Sequence, residues 1–124
     1  MRRRTICTIA AVSAVGVGTA ATQATGEAAT TLKLKAAASG ALKFNKTTLR
    51  AEPGRVTIRL RNPSASGIPH AVEVEGKGVE KKSRTIQPGQ RTSLTVNLKR
   101  GSYEFYCPVG NHQEEGMEGT LVVR

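Results

Sequence analysis

Polar and apolar residues alternate with a period of two along much of the chain from residue 31 onward. This alternation is typical of strands that bury one face, and no stretch after residue 30 shows the 3.6-residue period of a helix. Turn signals that contain Pro, Gly, Asn or Ser separate the alternating runs. The clearest runs are residues 32–35, 55–61, 71–75, 93–98, 103–106 and 120–123. The pattern predicts an all-β fold, a two-sheet β-sandwich of seven to eight short strands.

The N-terminus has the organisation of a secretory signal peptide. Three arginines at positions 2–4 precede an apolar run over residues 6–17, and small residues follow where a peptidase could cut. We expect cleavage after Ala20, Ala21 or Ala24 and favour Ala24; the alternative is an uncleaved N-terminal anchor.

The chain divides into three parts on this basis. Residues 1–24 are assigned to the signal peptide, residues 25–30 to a short linker and residues 31–124 to one domain. No later segment is apolar enough to span a membrane. We therefore expect an exported protein that resides in the periplasm, at the cell surface or outside the cell.

Export changes the meaning of the two cysteines. Removal of the signal peptide removes Cys7 and leaves Cys107 as the single thiol, so a disulfide within the processed chain is excluded. A lone thiol in an exported protein is reactive or intermolecular unless a metal binds it as thiolate. The alternative for Cys107 is a small buried side chain.

The charge balance is strongly basic. The formal net charge of +10 falls to +7 when the three arginines of the signal peptide are removed. No dense basic run with interleaved aromatic residues exists, so no nucleic-acid partner is expected. Two readings stay open: a solvated cationic surface, or electrostatic steering towards an acidic partner or an anionic envelope surface. Glu114, Glu115 and Glu118 make the C-terminal loop less positive than the rest.

Four residues of the chain have side chains that could bind one metal ion. Cys107, His112 and Met117 are separated by four residues each, in a loop between two strand-like runs. The one other histidine, His70, follows Pro69 at the start of another predicted strand. Strand ends of a sandwich can meet at one pole, which brings the distant imidazole to the loop. A thiolate, two imidazoles and a weak thioether are the donors of a blue-copper electron-transfer centre.

Other uses of these residues are less well supported. Zinc accepts cysteine and histidine but usually takes a fourth strong ligand or a water, and Met117 is a poor zinc donor. A catalytic Cys–His pair needs a third group that orients the imidazole and an oxyanion site, and the sequence indicates neither. Taken singly, His70 and His112 are ordinary polar residues and Met117 is ordinary core packing.

The C-terminal segment resembles the cupredoxins. The similarity lies in residues 101–107, continues through His112 and Met117 and closes in residues 119–123. It is strongest to the small plastocyanin/azurin-like blue copper proteins of bacteria. The turn at residues 86–89 and the strand that follows it are also similar.

The resemblance covers about residues 31–124 and implies a Greek-key β-sandwich that binds one copper ion near one pole. It implies that His70, Cys107 and His112 form a trigonal plane around the copper. Met117 is then the long axial ligand, and the Pro69 carbonyl a second weak axial contact. The family usually has its second histidine nearest the surface, which assigns the electron port to His112.

The chain departs from the family directly after the first histidine. Many members have Asn there, where it ties the two ligand loops together by hydrogen bonds, and this chain has Ala71. We expect fewer contacts that hold the ligand loops and an effect on the reduction potential. The ligand set itself is unaffected.

The leading functional hypothesis is a one-electron carrier that cycles between Cu(I) and Cu(II). We expect a monomer, soluble or held at a surface, that exchanges electrons with redox partner proteins, among them acidic ones. We expect no enzymatic activity, because the four donors fill the copper positions and no substrate site is evident. The alternatives are an envelope copper-binding or copper-delivery protein and an exported interaction module that has lost its metal.

Overall fold

The computed structural model describes residues 28–124, so the predicted signal peptide lies outside the described residues. Eight strands and a single 3₁₀ turn at Ser64–Ser66 make up the regular structure of this part of the chain. The strands are β1 (Ala29–Lys35), β2 (Thr48–Ala51), β3 (Gly54–Arg61), β4 (Glu73–Gly76), β5 (Val79–Lys82), β6 (Arg91–Leu98), β7 (Gly101–Tyr106) and β8 (Glu118–Val123). No described helix is long and apolar enough to cross a membrane.

The strands form two mixed sheets. One has the order β1-β3-β6 and the other the order β2-β8-β7-β4-β5. β1 is parallel to β3 and β2 is parallel to β8, whereas the other neighbours are antiparallel. β8 therefore lies inside its sheet, between β2 and β7. The predicted fold class, an all-β Greek-key sandwich of seven to eight strands, is confirmed.

The alternation in the sequence determines which side chains face the core. In β3 the apolar residues Val56, Ile58 and Leu60 are buried, and the arginines between and after them are exposed. Burial of one face per strand is the main favourable term in the stability of such a sandwich. Among the aromatic residues, the rings of Phe44 and Phe105 pack with their centroids 5.7 Å apart.

Gly119 shows how closely the strands approach at this aromatic pair. A Cβ at Gly119 would lie 2.6 Å from Cε1 of Phe105 and 2.5 Å from the carbonyl oxygen of Thr47. Both separations are well below van der Waals contact, so any larger residue would displace the Phe105 ring or the backbone. Close packing, and not a turn conformation, therefore requires glycine at this position of β8.

Two strands begin at positions that differ from the predicted ones. β4 starts at Glu73 rather than at Ala71, because the preceding backbone pairs elsewhere. His70 forms an isolated bridge with Ile86, with N–H···O distances of 3.0 and 2.8 Å, so His70 does not open a strand. β1 starts at Ala29, which places the last two residues of the predicted linker in the sheet.

Candidate metal centre

Three of the four predicted donors converge at one pole of the sandwich. The Sγ atom of Cys107 lies 3.9 Å from Nδ1 of His70 and 3.5 Å from Nδ1 of His112. Ligand atoms of all three residues lie within 4.8 Å of one another. The two imidazole rings are tilted by 58°, with centroids 5.1 Å apart. The side chains of His70 and Cys107, which are 37 positions apart in the sequence, are thus brought together by the fold.

The separations between these atoms fit a metal ion at their centre. Metal–nitrogen bonds of about 2.0 Å and a metal–sulfur bond of about 2.3 Å, at 120° to one another, place nitrogen and sulfur about 3.7 Å apart. The two observed sulfur–nitrogen distances, 3.5 and 3.9 Å, bracket that value. One thiolate and two imidazoles in this arrangement are the strong donors of a type 1 copper site.

Cys107 follows directly on the last residue of β7 and is fully buried. It is a free thiol. Burial raises the pKa of the Cys107 thiol, while the backbone amides of Ala71 and Val109 act in the opposite direction. A buried thiol of this kind becomes a thiolate when a metal ion replaces its proton, which couples metal binding to proton release.

His70 is held by its backbone bridge to Ile86 and is also fully buried. Burial lowers the pKa of His70 to about 4, and the nearby His112 adds to the shift. The imidazole is therefore neutral near pH 7, and a neutral imidazole is the form that binds metal. Its Nε2 atom is buried and has no hydrogen-bond partner among the described residues.

A compact loop places His112 beside the sulfur. The His112 N–H donates to the Val109 carbonyl at 3.0 Å, and the Met117 N–H donates to the His112 carbonyl at 3.0 Å. The Cys107 N–H in turn donates to the Met117 carbonyl at 3.0 Å, which closes the loop at its base. Gly116 has a φ of 107°, a backbone conformation that glycine adopts without strain. His112 is partly exposed, unlike the other two donors.

Met117 lies at the end of the same loop. It is fully buried and belongs to the hydrophobic cluster that also contains Cys107. Its backbone hydrogen bonds to Cys107 and His112 fix its position relative to both. The backbone of Met117 therefore lies beside the three converging side chains, and its role as a ligand stays a prediction.

Asn62 supports the site and was not singled out as a functional residue. It is fully buried at the end of β3, and its Nδ2 donates to the carbonyls of Ile68 and Ile86 at 2.8 and 3.2 Å. Its Oδ1 accepts from Oγ of Ser66 at 2.5 Å. Since Ile86 is also the bridge partner of His70, one amide ties the end of β3 to the segment that carries the first donor.

Tyr106, next to Cys107, forms a second polar cluster. Its hydroxyl donates to Oε2 of Glu73, and Oε2 of Glu75 lies 2.9 Å away. Burial raises the pKa of Tyr106 above its ordinary value, and the hydrogen bonds to Glu73 and Glu75 raise it further. The phenol therefore stays protonated and donates to the buried Glu73 carboxylate across the β4–β7 pair. Only the register of these strands places the three residues together, so their sequence positions carried no signal.

The match of the sequence to a protein-family model identifies the family. The cupredoxin-like domain matches residues 7–123 of the sequence. The chain belongs to the cupredoxin-like family. The resemblance inferred from the C-terminal segment is thereby confirmed. A search of curated protein sequences finds no match.

Solved structures share the fold of this cupredoxin-like protein. Auracyanin B is 22% identical in sequence and has a TM-score of 0.69, over 79% of this chain and 90% of its own. Auracyanin A, described as a "blue" copper protein from Chloroflexus aurantiacus, is 22% identical with a TM-score of 0.65, over 78% of this chain and all of its own.

A copper nitrite reductase from Nitrosomonas europaea has the same fold in part of its chain. It is 20% identical with a TM-score of 0.65, over 77% of this chain but only 41% of its own. At these identities the likeness establishes the fold alone. The fold thus occurs both in small proteins and as part of a larger enzyme chain.

Proposed function

We propose that this cupredoxin-like protein binds one copper ion through His70, Cys107 and His112, and that it carries single electrons between partner proteins. Met117 is proposed as the weak axial ligand. The observation that carries the proposal is the convergence of the Cys107 sulfur and one ring nitrogen of each histidine within 4.8 Å. The description of auracyanin A as a blue copper protein supports the choice of metal.

Bound copper would supply the Cu(I)/Cu(II) couple, and the protein determines how well that couple exchanges electrons. Two of the donors are buried and held by backbone bonds, so little has to rearrange when the charge on the site changes. The burial of His70 and Cys107 excludes water from that side of the site. His112 is the donor that reaches the surface, and it is the proposed path for the electron.

We propose that the protein has no enzymatic activity of its own. The four donors occupy the positions around a copper ion, which leaves none open for a substrate. The match to the nitrite reductase covers less than half of that enzyme's chain and so does not argue for its reaction here. Partners are then redox proteins, and we further propose a monomer that is exported to the periplasm, the cell surface or the extracellular medium.

A copper titration tests the proposal. The full-length chain carries Cys7→Ser, so that Cys107 is its single thiol, and visible absorption and electron spin resonance are recorded as Cu(II) is added. One equivalent is expected to give an intense blue band and a narrow copper hyperfine splitting, because a thiolate binds the oxidised ion. A further Cys107→Ser change should abolish the band, while Glu118→Gln, an exposed change beside the loop, should leave it intact.

Two results would contradict the proposal that the protein is an electron carrier. A colourless complex, or a blue band that survives Cys107→Ser, would exclude the proposed ligand set. A blue complex that loses its copper on each reduction would instead support the copper-delivery alternative, since a carrier must retain the ion in both oxidation states.

A further inference from the structure

The outward face of the three-stranded sheet is densely cationic. β1, β3 and β6 contain lysines and arginines but no aspartate or glutamate. Most of these residues lie in two adjacent cross-strand rows and are exposed. We call this surface the cationic face and define it by Lys33, Lys35, Arg59, Arg61 and Arg91.

Like charges are direct neighbours on the cationic face. Lys35 lies opposite Arg61, which in turn lies opposite Arg91. Lys33 lies opposite Arg59 in the next row. Like charges in directly opposed positions destabilise a sheet, and no carboxylate in these strands offsets them. An arrangement that works against folding indicates a use outside folding.

Apart from Glu52, in the turn between β2 and β3, the described acidic residues lie outside the three-stranded sheet. All glutamates after residue 52 belong to the five-stranded sheet or to the loop that carries His112. They are Glu73, Glu75, Glu80, Glu104, Glu114, Glu115 and Glu118. Because the two sheets pack against each other, the cationic face and the outward face of the five-stranded sheet point in opposite directions. The protein therefore has one preferred orientation on a charged plane.

The cationic face extends to the end of the three-stranded sheet that lies next to the segment containing His70. Arg61 immediately precedes Asn62, whose amide bonds the bridge partner of His70. Arg91 follows Gln90, whose carbonyl accepts from the Asn62 N–H at 3.0 Å. The partly exposed His112, in contrast, is on the loop between β7 and β8 of the opposite sheet.

The chemistry of the cationic face favours lipid over protein. Protein interfaces are built around buried aromatic and aliphatic anchors, and lysine is depleted in them. The remaining outward side chains beside the cationic face are small and polar, and none is an apolar anchor. They are Ser93, in the row of Lys33 and Arg59, and Thr31, Thr57 and Thr95 in the next row. An anionic bilayer requires no anchor, since each basic side chain near its surface adds attraction independently.

We propose that the cationic face binds this protein to the surface of an anionic lipid bilayer. In that orientation the five-stranded sheet points away from the lipid, because the negative surface repels the glutamates in that sheet. The loop that carries His112 then remains accessible to a partner. The proposal does not depend on copper and holds for the metal-free protein.

Vesicle sedimentation tests the proposal with two matched triple variants of the full chain. Lys35→Gln, Arg61→Gln and Arg91→Gln remove three charges from the cationic face. Lys77→Gln, Lys99→Gln and Arg100→Gln, in the control, remove three charges from exposed turns outside it. The measured quantity is the ratio of binding to phosphatidylcholine vesicles with and without phosphatidylglycerol. The N-terminal segment is the same in every protein, so its contribution to the ratio is shared.

The unmodified chain is expected to prefer the anionic vesicles, and added salt should reduce that preference. The first triple variant should lose on the order of a hundredfold in the ratio, and the control variant far less. Equal losses in both variants would overturn the proposal, because net charge rather than one face would then explain binding. Binding to poly-L-glutamate without a preference for anionic vesicles would overturn it in favour of an acidic protein partner.

Discussion

Removal of the buried Asn62 side chain is expected to destabilise the metal-free protein by several times the cost of an ordinary surface substitution. Asn62→Ala deletes the amide that joins the end of β3 to the carbonyls of Ile68 and Ile86. It also deletes the oxygen that accepts from the Ser66 hydroxyl. The change touches no proposed metal ligand, so its effect on folding can be measured in the metal-free protein.

The size of the effect follows from the groups left behind. A buried hydrogen bond contributes about 1 kcal/mol net, so the loss of three predicts about 3 kcal/mol. The Ile86 carbonyl still accepts from the His70 N–H at 3.0 Å, and the Ile68 carbonyl keeps the Ser66 hydroxyl at 3.3 Å. Neither carbonyl is left bare, and the full penalty for an unsatisfied buried group does not apply.

Urea unfolding followed by circular dichroism measures this difference. Asn97→Ala, at an exposed position of β6, is the matched control and should change the free energy of unfolding by less than about 0.5 kcal/mol. A loss below about 1 kcal/mol for Asn62→Ala would mean that these three hydrogen bonds do not stabilise the fold as proposed, since each should contribute about 1 kcal/mol. Asn62→Asp should be at least as damaging near pH 7, because a carboxylate would then face two carbonyl oxygens.

Three further changes probe the donors and their neighbours. Met117→Leu should keep the blue colour and raise the reduction potential measured by voltammetry, because a weak donor to the oxidised ion is lost; an unchanged or lower potential would count against Met117 as axial ligand. Burial lowers the pKa of His70 to about 4, so the unfolded chain takes up this proton at a higher pH than the folded protein. The free energy of unfolding of the metal-free protein should therefore be highest above about pH 6.5 and fall by up to about 3 kcal/mol towards pH 4. An equal fall in the His70→Gln variant would show that protonation of His70 is not the cause. Tyr106→Phe leaves the buried Glu73 carboxylate without its donor and should cost about 1–3 kcal/mol by urea unfolding. Tyr103→Phe, which removes a bond to a backbone carbonyl, should cost less, and the reverse order would contradict the role given to Tyr106.

Strands with a regular alternation could be predicted closely. The run at residues 55–61 corresponds to β3, Gly54–Arg61, and the run at residues 93–98 corresponds to β6, Arg91–Leu98. β5 gave no such signal because only its first residue, Val79, is apolar and the rest are exposed charges. Its place in the sheet depends on pairing with β4, which a local pattern does not reveal.

The convergence of the three candidate donors could be predicted from the sequence, whereas the groups that hold them could not. Cysteine and histidine are rare in this chain, so Cys107, His112 and His70 stand out by residue type alone. Asn62 looked like an ordinary turn residue before a proline, and its partners are mostly backbone carbonyls of other segments. The absence of Asn at position 71 predicted fewer hydrogen bonds around the ligand loops, yet Asn62 bonds the carbonyl of Ile86, the bridge partner of His70.

The interior position of β8 has a consequence for the order in which the molecule can assemble. β8 is the last described strand, and it joins β2, an early one, to β7, with Thr48 opposite Thr120. Until β8 is in place, β2 has no partner in its sheet and one side of the core is open to water. Such distant pairing forms late and slowly. The Cys107–Met117 loop connects β7 to β8 and closes when these two strands pair, so copper capture would report that this pair has formed.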